Sequence, residues 1–248
     1  MTVGSLFAGI GGFDLGFERA GFEIKFQVEI DPFCRAVLAK HWPDVRRYED
    51  VRTVHEPGMC RDVPCGHCLP RVDVIVGGFP CQDISVAGRG VGIDGERSGL
   101  WGQFSRLIRE LRPRYVVVEN TPGLLSRGIG RVLGDLAAIG YDSEWDCVPA
   151  AALGAKHKRD RVWIIAYPGG ARLQKRRVLT SLPGKERRYG DRQNAAVDAW
   201  WAVEPNVVRV VHGIPGRVDR IRSLGNSVVP QIAEWIARRI IEAEGEVA

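Results

Sequence analysis

The chain has 248 residues, 45% of them hydrophobic and 26% charged, with a formal net charge of +5. That length allows one large domain, or one large and one small, with enough apolar side chains for a true core. No apolar run approaches the ~20 residues of a membrane helix, and the mild positive charge admits a polyanionic partner without requiring one. Met1–Ser5 enters a strand-like run without a basic, long-apolar leader, so a cytoplasmic protein with no membrane role is expected. With no secretory signal, the six cysteines read as cytosolic thiols and not as a disulfide framework.

In chain order, strand-like apolar runs fall at Thr2–Phe7, Ile24–Glu29, Val72–Val76, Tyr115–Val118, Glu144–Val148 and Val162–Ala166. Helix-like stretches lie between several of them, at Gly12–Ala20, Pro32–His41, Gly102–Leu111 and Ile129–Ile139. The alternation predicts an α/β fold of β-α-β units in a mostly parallel, doubly wound sheet, which collects ligands at the carboxyl ends of its strands. After Tyr167-Pro168-Gly169-Gly170 the composition changes: Arg172, Lys175, Arg176, Arg177, Lys185, Arg187, Arg188 and Arg192 face only Glu186 and Asp191. This stretch reads as an irregular basic insertion or small second domain, with a flexible solvated loop as the other reading. A helical pattern returns at Ile232–Ala243 and closes the chain.

The first strand runs into Ser5-Leu6-Phe7-Ala8-Gly9-Ile10-Gly11-Gly12, which opens a helix. Glycines there let backbone amides approach a ligand at a helix N-terminus, although tight turns use glycine anyway. Glu29, at the end of the second run, is placed to bind both hydroxyls of a ribose, and Asp50 to receive an adenine amino group. Together they favour an adenosine-bearing cofactor. The loop alone does not separate a dinucleotide from S-adenosylmethionine. It looks more like the latter, because Phe7 can stack on adenine and no pyrophosphate clamp is evident.

Two further strand ends carry reactive groups. Val72–Val76 leads into Gly78-Phe79-Pro80-Cys81-Gln82, and Tyr115–Val118 into Glu119-Asn120-Thr121. A lone cysteine is most often a small buried hydrophobe. Paired with an acid on a neighbouring strand end, its thiolate can add to a planar heteroaromatic ring that the carboxyl protonates. Beside an adenosine cofactor, that is the chemistry needed to methylate cytosine at carbon 5.

In these motifs the chain resembles the DNA cytosine-5 methyltransferases of bacteria and phages. They occur in the family's order: Phe7-Ala8-Gly9-Ile10-Gly11-Gly12, Glu29, Asp50, Gly78-Phe79-Pro80-Cys81-Gln82, Arg97-Ser98-Gly99-Leu100, Glu119-Asn120, Arg159-x-Arg161-Val162 and Gly225-Asn226-Ser227-Val228. The resemblance implies a Rossmann-like S-adenosylmethionine-dependent methyltransferase fold with a small irregular target-recognition region. It implies a catalytic and cofactor-binding domain at 1–167, a short recognition region at 168–212 and a return to the catalytic domain at 213–248. Cys81 would be the nucleophile at ring carbon 6, Glu119 would protonate ring nitrogen 3, and Arg161 with Arg159 would hold the base. Phe7, Ala8, Gly9, Gly11, Gly12, Glu29, Ile30, Asp50, Val51, Pro80, Leu100, Asn226 and Ser227 would line the cofactor pocket. The segment 82–95 would close over double-stranded DNA once the target base is flipped out, with Gln82, Ser85 and Arg89, and further along Arg209 and Arg217, touching the DNA. A monomer is expected, with a cognate restriction endonuclease as a partner in the same system.

One departure is His157, which stands where the family usually has Gln before the two arginines. Three rivals stay open: a tRNA cytosine-5 methyltransferase on the same scaffold, a catalytically silent DNA-binding subunit, and a nicotinamide-dependent oxidoreductase. The intact Cys81, Glu119 and Arg161 argue against the second, and the third leaves Pro80-Cys81-Gln82 without purpose.

Two further constellations stand outside these motifs. Cys60, Cys65 and Cys68, with His55 or His67, offer the sulfur and nitrogen donors of a four-coordinate zinc. Most such sites bring a second pair from further away, so unligated loop thiols and a redox linkage stay open. Trp200-Trp201 read as core anchors of the recognition region, whose arginines, with Arg217, Arg220 and Arg222 beyond, could pair with guanine edges and phosphates.

Overall fold

The computed structural model describes residues 1–58, 65–80, 100–170, 178–179 and 217–245. In chain order these form β1 (Thr2–Leu6), α1 (Gly12–Arg19), β2 (Glu23–Val28), α2 (Pro32–His41), β3 (Arg46–Tyr48), β4 (Val74–Gly77), α3 (Leu100–Leu111) and β5 (Tyr115–Asn120). Then come α4 (Leu124–Arg127), α5 (Ile129–Ala138), β6 (Tyr141–Pro149), a 3₁₀ turn (Ala150–Leu153), β7 (Asp160–Pro168), α6 (Arg217–Asn226) and α7 (Pro230–Gly245).

Local chemistry sets several boundaries. Asp31 caps α2 by accepting from the amides of Phe33 and Cys34 at 2.9 and 3.2 Å, and Pro32 behind it has its φ preset for the first helical turn. In α3, Trp101, Phe104, Leu107, Ile108 and Leu111 are buried at the three- and four-residue spacing of one helical face.

The seven strands lie in the order β3-β2-β1-β4-β5-β7-β6. The first five run parallel, and β7 enters antiparallel between β5 and β6. Only a short turned segment joins β6 to β7, too little chain for the crossover that a parallel pair needs. The reversal has a consequence for the site. Asn120 at the end of β5 lies opposite Val162, and Glu119 opposite Trp163, so the start of β7 faces the carboxyl ends of the parallel strands.

Both sheet faces are covered, so the central strands are apolar on both sides. Leu6, Ile75, Val116, Val118, Val162 and Ile164 pack with α3 and α5 on one face. Val3, Val74, Val76, Val117, Trp163 and Ile165 pack with Phe13 and Phe17 of α1 and Ile232, Ile236 and Ile240 of α7 on the other. A Cβ on Gly16 would stand 2.5 Å from the Pro230 carbonyl oxygen, so glycine is what lets α7 lie against α1. Among the described residues, no helix is long and apolar enough to cross a membrane.

Candidate active site

The strand order reverses at β1, between β2 and β4, and the carboxyl edge beside that switch is where open α/β sheets hold ligands. The β1 exit is shaped by backbone: Phe7, Gly9 and Gly11 have φ of 53°, 56° and 88°. For Phe7 this left-handed conformation is uncommon in a bulky residue, and it is held where the chain turns out of the sheet. Glu29 sits one residue past β2 and ties that turn. One carboxylate oxygen accepts from the Gly9 amide at 2.7 Å and the other from the Asp31 amide at 2.8 Å. Burial pushes its pKa up, against the lowering effect of those backbone hydrogen bonds. Next to it Ile30 is 64% exposed, an apolar surface at the mouth of the loop.

The other expected cofactor residues are held by different means. Asp50 lies beyond β3, its carboxylate held by the Arg52 guanidinium at 2.6–2.9 Å, which lowers its pKa. Val51 is buried. Phe7 and Leu100 are partly buried against the α3-side core, and the Phe7 ring centroid stands 6.2 Å from that of Phe104. From the far end of the chain, a Cβ on Gly12 would stand 2.4 Å from the Val228 carbonyl oxygen and 3.0 Å from Ser227 Oγ. The segment after Asn226 therefore lies directly on the glycine turn. A cleft lined by Gly11, Gly12, Leu15, Glu18, Trp42 and Ser227, among others, opens beside the turn, but its lining includes neither Glu29 nor Glu119.

One strand over from β1, β4 exits through Gly78-Phe79-Pro80 beside the end of β5. Asn120 stitches the two strand ends, donating to the Phe79 carbonyl at 3.2 Å and accepting from the Thr121 amide at 2.8 Å. Glu119 is nearly buried and pairs with Arg161, Oε1 to Nε at 2.9 Å. Its other oxygen would stand 2.9 Å from a Cβ on Gly78, so a side chain there would displace the carboxyl. Burial outweighs the charges of Arg161 and Arg159 and raises the Glu119 pKa to about 7. Cys81 follows Pro80 directly in the chain and, with Gln82, Ser85, Arg89 and Arg209, lies outside the described residues. Arg217 begins α6, and its side chain is likewise outside them.

The two arginines of the Arg159-x-Arg161 motif do different things. Arg161 touches the acid. Arg159, at a φ of 40°, donates from Nη2 to the carbonyls of Gly225 at 2.8 Å and Ser227 at 2.6 Å, and so fastens the C-terminal motif to the start of β7. His157 is exposed. In the cysteine-rich segment, His55 and not His67 joins Cys65 and Cys68 in one group whose donor atoms lie within 4.8 Å of one another. Cys60 is outside the described residues.

Two supports escape sequence reasoning. Asp14 of α1 is fully buried and accepts from Gln27 Nε2 at 2.9 Å, and burial raises its pKa to about 6. Its one signal is an acid on the buried face of an apolar helix. Arg106 of α3 donates to the carbonyls of Val51 at 3.0 Å and Val54 at 2.9 Å, holding the loop that carries Asp50. Nothing in the spacing of those residues announces the contact.

Against known proteins, the family model for C-5 cytosine-specific DNA methylases matches residues 1–206. The type II methyltransferase M2.BsuMI of Bacillus subtilis is 36% identical over 174 residues, covering 67% of this chain and 42% of that protein. M.FnuDI of Fusobacterium nucleatum is 28% identical over 240 residues, covering 95% of this chain and 63% of that protein. The chain thus spans about half the length of the curated relatives it matches. Among solved structures, a prophage-encoded protein of Escherichia coli described as a DNA modification methyltransferase aligns with a TM-score of 0.67 at 20% identity, over 99% of both chains. DNMT2 of Spodoptera frugiperda aligns with a TM-score of 0.52 at 18% identity, over 69% of this chain and 51% of that one. At those identities the structural likeness establishes the fold alone.

Proposed function

The chain belongs to the C-5 cytosine-specific DNA methylase family, and on that premise we propose that it methylates carbon 5 of a flipped-out cytosine within a short double-stranded DNA sequence. The observation that carries the reading is Glu119: a buried carboxyl with a pKa near neutrality, paired with Arg161 at the strand end beside the chain that leads into Cys81.

The residues around the β1 turn fit an adenosine-bearing cofactor. Glu29 holds the glycine turn open with its carboxylate at the sheet edge, Ile30 offers apolar surface, and a Cβ on Gly9 would meet nothing within 4 Å. S-adenosylmethionine, when bound, supplies an electrophilic methyl group. Glu29 would take its ribose hydroxyls, Phe7 and Ile30 would flank the adenine, and Asp50 would receive the adenine amino group while still paired with Arg52.

On the other side, the Cys81 thiolate adds to carbon 6 of the cytosine, while Glu119, protonated near neutrality, gives its proton to ring nitrogen 3. Carbon 5 thereby gains the electron density to take the methyl group. Glu119 recovers its proton from nitrogen 3, and the carbon 5 proton passes to solvent water as Cys81 leaves as the thiolate, which restores the aromatic ring. Arg161 keeps Glu119 pointed at the base, and Arg159 acts through the C-terminal segment it fastens. Residues 168–212, basic in their first half, would choose the target sequence, and a restriction endonuclease cutting the same sequence would be the cognate partner.

The test is bisulfite or nanopore mapping of DNA from cells expressing the protein. One short motif should carry 5-methylcytosine, and Cys81→Ser should erase the mark while cofactor binding persists. An unmarked genome, with methyl transfer to tRNA instead, would replace DNA as the substrate. Marking by the Cys81→Ser variant would sink the covalent mechanism. DNA bearing 5-fluorocytosine, which has no carbon 5 proton to lose, should trap an adduct only when Cys81 is present.

A further inference from the structure

The connection between β3 and β4 carries a second set of reactive side chains that methyl transfer does not use. We propose that His55, Cys65 and Cys68 bind a zinc ion that fixes this connection to the edge of the sheet.

The donors are arranged as ligands. Cys65 Sγ lies 3.4 Å from Cys68 Sγ and 3.4 Å from His55 Nε2. Bond lengths of ~2.3 Å to sulfur and ~2.0 Å to nitrogen put tetrahedral edges at about 3.8 Å for a sulfur pair and about 3.5 Å for sulfur and nitrogen. A small outward shift of each donor therefore accommodates the ion. Cys65 and Cys68 are not disulfide-bonded, and all three side chains are half-buried, within reach of an ion from solvent. Two thiolates and an imidazole are a soft donor set that selects zinc over magnesium or calcium.

Independent features aim these donors. His55 Nδ1 lies 3.0 Å from the Glu56 carbonyl, against 3.9 Å from Cys68 Sγ, so the ring proton goes to the carbonyl and the Nε2 lone pair is left to face the Cys65 thiol. A ligating histidine usually has its other nitrogen bound in this way. The His67 amide donates to Cys65 Sγ at 3.4 Å, which stabilises a thiolate. Gly66, at a φ of 75°, makes the turn between the two cysteines that brings both sulfurs to one side.

The backbone holds that turn against the strand. His55 donates to the His67 carbonyl at 3.2 Å, and Leu69 donates to the His55 carbonyl at 2.8 Å. Tyr48 of β3 donates to the Cys68 carbonyl at 2.6 Å, and Arg46 donates to that of Gly66 at 2.8 Å. Three protein ligands leave one tetrahedral position for water. The ion would bind the start of the connection to its end, and so steady the loop of Asp50 and Val51 that precedes His55.

Protein made in zinc-supplemented medium and gel-filtered should carry about one zinc per chain by plasma mass spectrometry. His55→Ala, and Cys65→Ser with Cys68→Ser, should each keep less than about a tenth of that. Cobalt(II) loaded into the unaltered chain should give the strong visible bands of a tetrahedral ion and a near-ultraviolet thiolate charge-transfer band, a signature independent of how the variants fold. Trace zinc in the unaltered chain, full zinc in the double-cysteine variant, a cobalt spectrum without the thiolate band, or a Cys65–Cys68 disulfide in place of metal would each overturn the proposal.

Discussion

Two largely buried carboxylates sit at strand ends of the same sheet edge, and their partners set them apart. Glu29 is held by backbone amides, one oxygen to Gly9 and the other to Asp31. Glu119 is held by a side chain, Arg161, through one oxygen, and its other oxygen lies over Gly78. Amide donors cannot rotate away, so Glu29 is part of the architecture of the turn and suits a binding role. A guanidinium can reorient and leaves an oxygen available, so Glu119 can exchange a proton with something placed over it. Burial raises the pKa of both, but only the second is poised to work as an acid.

The largest expected effect breaks Glu119 alone. Glu119→Gln keeps an acceptor oxygen for Arg161, so the fold and cofactor affinity should survive, while the proton donor is gone. Methyl transfer should fall by about a hundredfold or more, read as single-turnover incorporation of labelled methyl into DNA. A variant within about threefold of the parent would remove Glu119 from the chemistry.

The same group should give stability a pH dependence. Its pKa is 4.5 in the unfolded chain and about 7 in the folded one. Below 4.5 the carboxyl is protonated in both states. Between 4.5 and about 7 the folded chain holds a proton that the unfolded chain has released, so stability falls as pH rises through that window. From pH 5 to pH 8 the loss should be about 2–3 kcal/mol greater for the parent than for Glu119→Gln, measured by urea denaturation. Glu29 and Asp14 contribute equally to both proteins, so the difference isolates Glu119. Parallel pH profiles would mean that the carboxyl ionises as an ordinary exposed acid.

How much of this contrast was legible beforehand depends on the kind of information involved. The helix at Pro32–His41 was readable in full because its start is written locally, in Asp31 and Pro32. The Arg46–Tyr48 strand was barely marked, since its three residues cannot display a period. β6 extends past its apolar run to Tyr141–Pro149 because an edge strand keeps polar and exposed positions, Trp145 among them at 46%. The antiparallel course of β7 is absent from any periodicity, as alternation is the same in both directions. Helix α6, RVDRIRSLGN, has only Val218, Ile221 and Leu224 among charged and small residues, too narrow a row to announce it. In the site, Glu29, Glu119 and Arg161 stood out as motif residues at strand ends. Arg106 and Asp14 did not, because their work is done on residues brought near only by the fold.

The smallest expected effect tests the architectural acid. In Glu29→Ala the Gly9 and Asp31 amides lose their acceptor and the carboxylate proposed for the ribose is gone, so cofactor affinity should drop about tenfold, with the rate at saturating cofactor changed far less. Glu29→Gln sharpens the contrast with position 119. Both Glu29 oxygens accept from N–H groups, so a glutamine must set its own NH₂ against one of them. The isosteric change should therefore weaken binding about as much as alanine does, whereas at position 119 it leaves binding intact and removes the rate. Calorimetric titration with S-adenosylhomocysteine separates the outcomes. If Glu29→Gln binds like the parent, the backbone ties do not fix the turn, and the difference between the two acids lies in burial alone.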